Sequence, residues 1–318
     1  MVTANKPTVS IGLPVYNGED FLEETLKSIL TQTYQNFELI ISDNASTDST
    51  QQICKTYASK DTRIRYYRYK NNVGASRNFN RVFELAKGKY FKWSSHDDLI
   101  SKDFLAKTVD FLDTHHDIVL CYSKTGHLNE NGEQIDSYSP NCRVDSKKPC
   151  IRFGDLISMR FPSWVIIFGL MRTEAIKKTQ LFGNYIGVDR NLLAEIALTG
   201  PFHELDEYLF FRREHKQAYS NREYKNYHEQ LDWWVKNSTP NRLFFPNWRI
   251  LLEYFKSVKR MPMKFTEKQH CYIEIWKWLL REGWVLMAWD VGINLLERSK
   301  YKKRLAPMKK FFVKHGGL

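Results

Sequence analysis

Several signatures that would classify this 318-residue chain at once are missing from it. No GxGxxG follows the first β-rich run and no GxxxxGK[ST] occurs anywhere, which argues against a dinucleotide oxidoreductase and a P-loop enzyme. The five cysteines (Cys54, Cys121, Cys142, Cys150, Cys271) have no CxxC spacing, so a zinc site is not expected. Their odd number, with a short polar start over residues 1–8 and no secretory signal, points to reduced thiols and a cytoplasmic protein. No run reaches the roughly 18–20 apolar residues that a membrane-spanning helix requires. The longest, residues 161–171, is too short and contains Pro162. Internal repeats and low-complexity segments are absent.

What is present is ordinary globular material: 42% hydrophobic and 26% charged residues, with 17 Tyr, 20 Phe and 9 Trp. That suffices for a core and leaves aromatic faces for sugar or base rings. The formal charge is +12, which suits either a generally basic surface or a phosphate-bearing or anionic partner. Residues 301–318 carry Lys302, Lys303, Arg304, Lys309, Lys310 and Lys314, with Phe311, Phe312 and Val313 among them and no acid. Such a segment is either a solvated tail or a peripheral contact with an anionic bilayer, here the inner face of the cytoplasmic membrane.

The first hundred residues alternate strand and helix patterns. Strands are expected at residues 8–13, stopped by Pro14, and at 37–42, 63–68 and 89–94. Helices are expected at 20–31, from an Asp48 cap through Tyr57, at 75–86 and at 102–114. This order predicts an α/β fold with a mostly parallel, Rossmann-like central sheet flanked by helices. Ligands of such sheets sit beyond the carboxyl ends of the strands. Further on, a hairpin is expected around residues 129–132, a strand ending at Met171, a helix over 189–198 and a strand over 207–212. From about residue 223 the pattern is helical and rich in tryptophan. The expected division is residues 1–222 as a catalytic unit, split at about 110 into a nucleotide-binding and an acceptor half, and 223–318 as a C-terminal α-helical extension with the basic tail.

Three polar clusters fall at predicted strand ends. Residues 14–19 (PVYNGE) give a stiff turn with exposed backbone and an aromatic face. Asp43 follows an apolar strand, where its carboxylate either accepts hydrogen bonds from a base or ribose or caps the next turn. Residues 94–98 (SSHDD) put adjacent carboxylates at a strand end, and hard oxygen ligands there suit Mn2+ or Mg2+ bridging a diphosphate.

Together these clusters resemble the family 2 glycosyltransferases, whose catalytic domain has the GT-A fold. The resemblance runs over residues 8–110, through VSIGLPVYNGEDFLEETLKSILTQTYQNFELIISDNASTDST, NNVGASRNFN and FKWSSHDD. It implies that Pro14, Val15, Tyr16, Asn17, Glu19, Asp43 and Asn44 border the base and ribose of a nucleotide-sugar donor. Gly74, Arg77, Asn78 and His96 are implied near the ribose or diphosphate. The family's acidic metal motif often reads Asp-x-Asp-Asp. Its first position here is Ser95, so Asp97 and Asp98 are the implied metal positions, with His215 as a further ligand or a surface histidine. Trp164, Gly169 and Arg190 fall on the implied acceptor side, and Asp189 matches the family's base carboxylate or acts as a helix cap. Arg212 and Arg213 read either as diphosphate contacts or as a solvated basic pair.

The expected activity is metal-dependent, inverting transfer from a nucleoside-diphosphate sugar, with a UDP-sugar as the expected donor. The acceptor is a saccharide, lipid-linked or small-molecule hydroxyl, as in polysaccharide or glycolipid assembly. A sugar nucleotidyltransferase is the alternative, but it would carry a Gly-rich basic loop where this chain has PVYNGED. Nucleic acid is not an expected partner, because acids at the strand ends repel phosphates.

Overall fold

The computed structural model describes residues 6–138, 142–158, 163–218, 227–236 and 244–298. The strands are β1 (Val9–Val15), β2 (Phe37–Asp43), β3 (Ile64–Arg68), β4 (Tyr90–Trp93), β5 (Leu99–Ile100), β6 (Leu120–Leu128), β7 (Gln134–Tyr138), β8 (Leu170–Arg172) and β9 (Phe202–Arg213). The helices are α1 (Leu22–Leu30), α2 (Thr50–Lys60), α3 (Ala75–Glu84), α4 (Phe104–Thr114), α5 (Pro149–Ile157), α6 (Thr173–Ile176), α7 (Val188–Thr199), α8 (Tyr227–Trp234), α9 (Pro246–Arg260), α10 (Phe265–Trp278) and α11 (Trp284–Arg298). The strands form one nine-stranded sheet of order β3-β2-β1-β4-β8-β6-β9-β5, with β7 paired to β6.

The first half is the expected parallel sheet: β1 lies between β2 and β4, and β2 pairs with β3, all parallel. Every residue of β1 and β2 is buried, because helices cover both faces, and this burial produces their near-continuous apolar runs. Gly12 is needed for close packing: a Cβ there would come within 2.6 Å of Val82 on α3 and 2.7 Å of Phe91 on β4. The second half adds antiparallel partners, since β8 runs against both β4 and β6, and β5 against β9. The expected hairpin at 129–132 joins β6 to β7, with Gly132 at φ 83°.

Pro14 does not stop the first strand. β1 continues to Val15, paired with Asp43 of β2. Its ladder to β4 ends at Gly12, so Pro14 lies where the strand has an open side and its missing N–H interrupts no bond to β4.

Alternation along the buried strands divides the core between the two faces. Leu39 and Ile41 pack with Ile11, Leu26 and Leu112 on one face. Ile40 packs with Phe91, Trp93 and Phe153 on the other. Helices α9 and α10 join this second cluster through Tyr254 and Trp278, whose rings meet edge to face at 5.3 Å. The linkage is also polar: Glu195 of α7 accepts from Ser257 at 2.7 Å and pairs with Arg260 at 2.5 Å. The expected boundary at 222/223 and the tail at 301–318 lie outside the described residues.

Candidate active site

The carboxyl ends of β1 and β2 are laced together by reciprocal side-chain-to-backbone bonds. The Asn17 amide N–H donates to Ser46 Oγ (3.0 Å), and Asn17 Oδ1 accepts from the Thr47 N–H (2.8 Å). The Gly18 N–H donates to Thr50 Oγ1 (2.8 Å), and Glu19 Oε2 accepts from the Ser49 N–H (2.8 Å). Asn17 and Ala45 take positive φ values of 51° and 62°, a conformation that costs energy outside glycine and persists where surroundings enforce it. Two turns therefore form one rigid rim, from which Tyr16 projects as an exposed aromatic ring.

Asp43 ends β2 with no exposure. Its Oδ1 accepts from the Ser46 N–H (2.8 Å), and its Oδ2 accepts from Tyr66 Oη (2.8 Å) and from Arg68 of β3. Three of its roughly four acceptor positions are thus filled by the protein, and the buried carboxylate braces the rim from behind. Burial, and then the bond to Asp43, push the Tyr66 hydroxyl pKa up. Asn44 serves mostly as a fastener: its side chain bonds Asn72 Oδ1, the Gly74 carbonyl and the Val73 N–H. Asn78 donates to the Ser42 carbonyl at 2.8 Å, while its buried Oδ1 has no protein partner.

The third cluster follows β4 and meets the end of β9. Asp97 Oδ2 lies 2.8 Å from His215 Nε2, and Ser95 Oγ donates to Asp97 Oδ1. Asp98 Oδ1 accepts from the Arg213 N–H at 3.0 Å. Burial would raise the Asp97 pKa, but His96 and the bonds from His215 and Ser95 outweigh it and hold the value low. Burial and the adjacent Asp97 charge raise Asp98. The two carboxyls are thus pushed in opposite directions, Asp97 down and Asp98 up. The cluster touches the first rim directly: a Cβ at Gly18 would meet the His96 ring at 2.6 Å, and Thr25 Oγ1 donates to the His96 and Asp98 carbonyls at 3.0 and 2.9 Å.

Arg213 is neither a diphosphate contact nor a solvated residue. It is buried, its guanidinium bonding Glu24 Oε2 (2.5 Å) and the Asp97 and Glu130 carbonyls (3.2 and 3.0 Å) and lying 4.8 Å over the Phe21 ring. It clamps the end of β9 to α1, which sets His215 against Asp97. Lys92 is a second buried cation absent from the sequence reading. It sits among Phe104, Phe168 and Phe210 and donates to the Phe168 and Trp93 carbonyls. Burial lowers its pKa to about 7.

The remaining sequence candidates are dispersed. Gly74, at φ 85°, is covered by the end of α8: a Cβ there would meet the Trp234 carbonyl at 2.5 Å. Arg77 is exposed on α3. Gly169 is buried inside the sheet, where a Cβ would meet the Cys121 carbonyl at 2.8 Å. The Trp164 side chain lies outside the described residues. Asp189 is partly exposed in the first turn of α7 after Gly187 (φ 77°), and its carboxylate accepts from the Arg190 N–H at 2.9 Å. Burial raises its pKa, opposed by that bond and by the Arg190 charge. Asp189 and Arg190 stand beside Tyr254 of α9 rather than in the hydrogen-bonded group around Asp97.

Among the described residues no three His, Cys, Asp or Glu side chains are grouped to hold a metal ion. Asp97 and His215 are bonded to each other at 2.8 Å, and an ion taking the place of the proton between them would meet one oxygen and one nitrogen. That donor set fits an ion of the magnesium or manganese kind, which commonly takes one or two protein ligands and completes its shell with substrate phosphates and water.

Comparison with known proteins identifies the scaffold. The glycosyl transferase family 2 profile matches residues 10–193, more than half of the chain, and the chain belongs to that family. A glycosyltransferase of Haemophilus influenzae is 33% identical over 141 residues, 44% of this chain and 56% of the relative. TuaG of Bacillus subtilis, a glycosyltransferase assigned to teichuronic acid biosynthesis, is 34% identical over 135 residues, 42% of this chain and 52% of the relative. The chain thus spans about half the length of these curated relatives. The fold is GT-A. S. aureus TarS 1-349 in complex with UDP-GlcNAc superposes with TM-score 0.62 at 17% identity over 95% of this chain and 79% of that one. A mannosyltransferase of Pyrobaculum calidifontis in complex with GDP-Man and Mn2+ superposes with TM-score 0.56 at 16% identity, covering 98% and 81%.

Proposed function

We propose that this protein transfers a sugar from a nucleoside-diphosphate donor, in first place a UDP-sugar, to an acceptor hydroxyl during polysaccharide or glycolipid assembly. The observation that supports this best is the convergence of three strand-end clusters. The interlocked 14–19 and 43–50 turns make a rim for the nucleoside, and the Asp97–His215 pair stands beside it. Pro14, Val15, Tyr16, Asn17 and Glu19 take the base and ribose, with Asp43 bordering them. Asn78 presents its unpartnered carbonyl oxygen nearby, and Arg77 and His96 face the diphosphate.

A divalent cation bound by Asp97 and His215 would offset the charge that develops on the departing diphosphate, so that no proton need be delivered to the leaving group. Asp98 keeps Arg213 and hence His215 in place. Asp189 takes the proton of the acceptor hydroxyl; its raised pKa strengthens it as a base, and a single displacement from the face opposite the leaving group inverts the anomeric centre. Trp164 and Arg190 belong to the acceptor side, where the hydroxyl is carried on a saccharide, a lipid-linked saccharide or a small molecule. Residues 302–314 supply cations for contact with an anionic bilayer at the cytoplasmic face. The catalytic unit spans residues 1–222 and the helical extension 223–318.

A thermal-shift panel of nucleoside diphosphates and nucleotide sugars, with and without manganese, tests the reading together with product analysis. A matching donor should stabilise the protein, more so with manganese, and turnover should release a nucleoside diphosphate. Pyrophosphate release would instead identify a nucleotidyltransferase, and stabilisation by none of the panel would end the nucleotide-sugar reading.

A further inference from the structure

The C-terminal helices leave a long apolar stripe in solvent. Ile273, Trp276, Leu280, Trp284, Val291 and Leu295 are all exposed, Leu280 by 74% and Trp284 by 59%. Separations of three and four residues put Ile273 and Trp276 of α10 on one side with Leu280 of the following turn, and separations of seven and four put Trp284, Val291 and Leu295 on one side of α11. The π-helical turn at Leu279–Gly283 joins the two helices without a break. Single exposed leucines are normal, whereas a contiguous stripe with two exposed tryptophans marks an interaction surface.

Charge identifies the occupant. Every exposed Asp, Glu, Lys or Arg between residues 246 and 295 is basic: Arg249, Lys256, Lys259, Lys264, Lys277 and Arg281. The acids of this stretch are buried or half-buried. Glu253 is held by Arg249 and Lys256, Glu274 by Lys277, and Asp290 by Asn247. Lys277 and Arg281 follow Ile273 and Trp276 by four and five residues along the helix and so flank the stripe. A two-fold contact between copies of this face would set cations against cations. An anionic lipid surface presents the opposite charge and accepts tryptophan at its interface.

We infer that the Ile273–Leu295 stripe of α10 and α11 is a docking surface for an anionic bilayer, with the helices lying in the plane of the headgroups. This surface is formed by residues other than the cationic segment 302–314, and the inference is independent of the sugar-transfer reading. It would hold the enzyme flat on a membrane that bears its acceptor or product.

Flotation of the full chain with vesicles tests it, using phosphatidylcholine alone and phosphatidylcholine with phosphatidylglycerol. Three variants are compared: Trp276→Ser/Leu280→Ser/Trp284→Ser, Trp276→Phe/Trp284→Phe, and Lys302→Glu/Lys303→Glu/Arg304→Glu. The parent should float with the anionic vesicles and show a blue shift of tryptophan emission, which the 302–304 variant retains. The triple serine variant should lower the partition coefficient by about tenfold or more, and the double Phe variant should lose most of the blue shift. Melting temperature and nucleoside diphosphate release from soluble donor should be unchanged in these variants, so failure of docking and failure of catalysis are read separately. Equal flotation of the serine variant and the parent overturns the proposal. So does a parent that is dimeric in solution and becomes monomeric in the serine variant, which would assign the stripe to a second copy.

Discussion

His215 Nε2 lies 2.8 Å from Asp97 Oδ2 although 118 residues separate them in the chain. The imidazole is buried and rests against Phe21 at a ring distance of 4.7 Å. An acid at the end of β4 is thereby matched by an imidazole delivered from beyond the end of β9. Ser95, standing where the family's motif often has an acid, adds a hydroxyl donor to the same carboxylate. The serine thus supports the ionised state of Asp97 rather than competing with it. His215→Ala would leave the Asp97 carboxylate short of a partner. Turnover should fall on the order of 100-fold, with the manganese-dependent part of donor stabilisation lost and manganese-independent binding kept. Equal manganese dependence in the variant and the parent would remove His215 from the ion's shell.

Asp189 occupies a different element from the donor rim, and this separation makes its role testable. Asp189→Asn keeps the N-terminal turn of α7, since an asparagine oxygen can accept the same Arg190 N–H. Donor stabilisation in thermal shift should therefore be unchanged, while transfer to the acceptor should fall by about 100- to 10,000-fold. Unchanged transfer would reassign the base.

Asp43 joins β2, β3 and the 43–50 turn through Tyr66, Arg68 and the Ser46 N–H. Arg68 is partly exposed, while Asp43 is fully buried, so removing the arginine leaves the buried charge with fewer partners. Arg68→Met should cost roughly 2–3 kcal/mol in a urea melt, discounted from the usual cost of breaking a buried pair because water can reach the arginine side. Donor affinity should fall with it, because the same bonds place Ser46 against Asn17. A melt that matches the parent would show that the Arg68–Asp43 pair is not worth its desolvation.

The parallel half of the sheet was legible because burial on both faces writes apolar runs into β1 and β2, while α1 carries its buried residues at helical spacing. The strand-end clusters were legible for the related reason that polar residues directly follow those runs. Other features depend on partners far along the chain. Arg213 reads as half of a surface basic pair, and only its bond to Glu24, 189 residues away, reveals a buried clamp. Lys92 sits mid-strand, where a lysine normally implies an outward face, and three aromatic rings from other elements make the site that hides it. Pro14 reads as a stop because a proline lacks a donor, yet a donor matters only where a neighbouring strand is present. The two-residue β5 is too short for any period to show.

Asp290 gives the C-terminal helices a pH response of definite sign. It lies on α11 with no exposure, accepting from the Asn247 N–H (2.8 Å), Asn247 Nδ2 (2.8 Å) and the Trp248 N–H (3.3 Å), so it ties α11 to the start of α9. Burial pushes its pKa up to about 6, against which the three bonds pull it down. The unfolded value is about 3.9, so between about pH 4 and pH 6 the folded chain holds a proton that the unfolded chain has released. Stability then falls as pH rises through that window, because the unfolded state binds fewer protons than the native state. Above about pH 6 both states are ionised and this contribution is flat. The slope reaches about 1.4 kcal/mol per pH unit at most, for a total on the order of 2–3 kcal/mol across the window. Asp290→Asn removes the titration but leaves one carbonyl oxygen to accept from α9. Urea melts of both proteins at pH 4, 5, 6 and 7 should show the parent losing stability relative to the variant from pH 4 to 6 and running parallel to it from 6 to 7. Parallel curves across the whole range would mean that Asp290 titrates in the folded protein as it does in the unfolded chain.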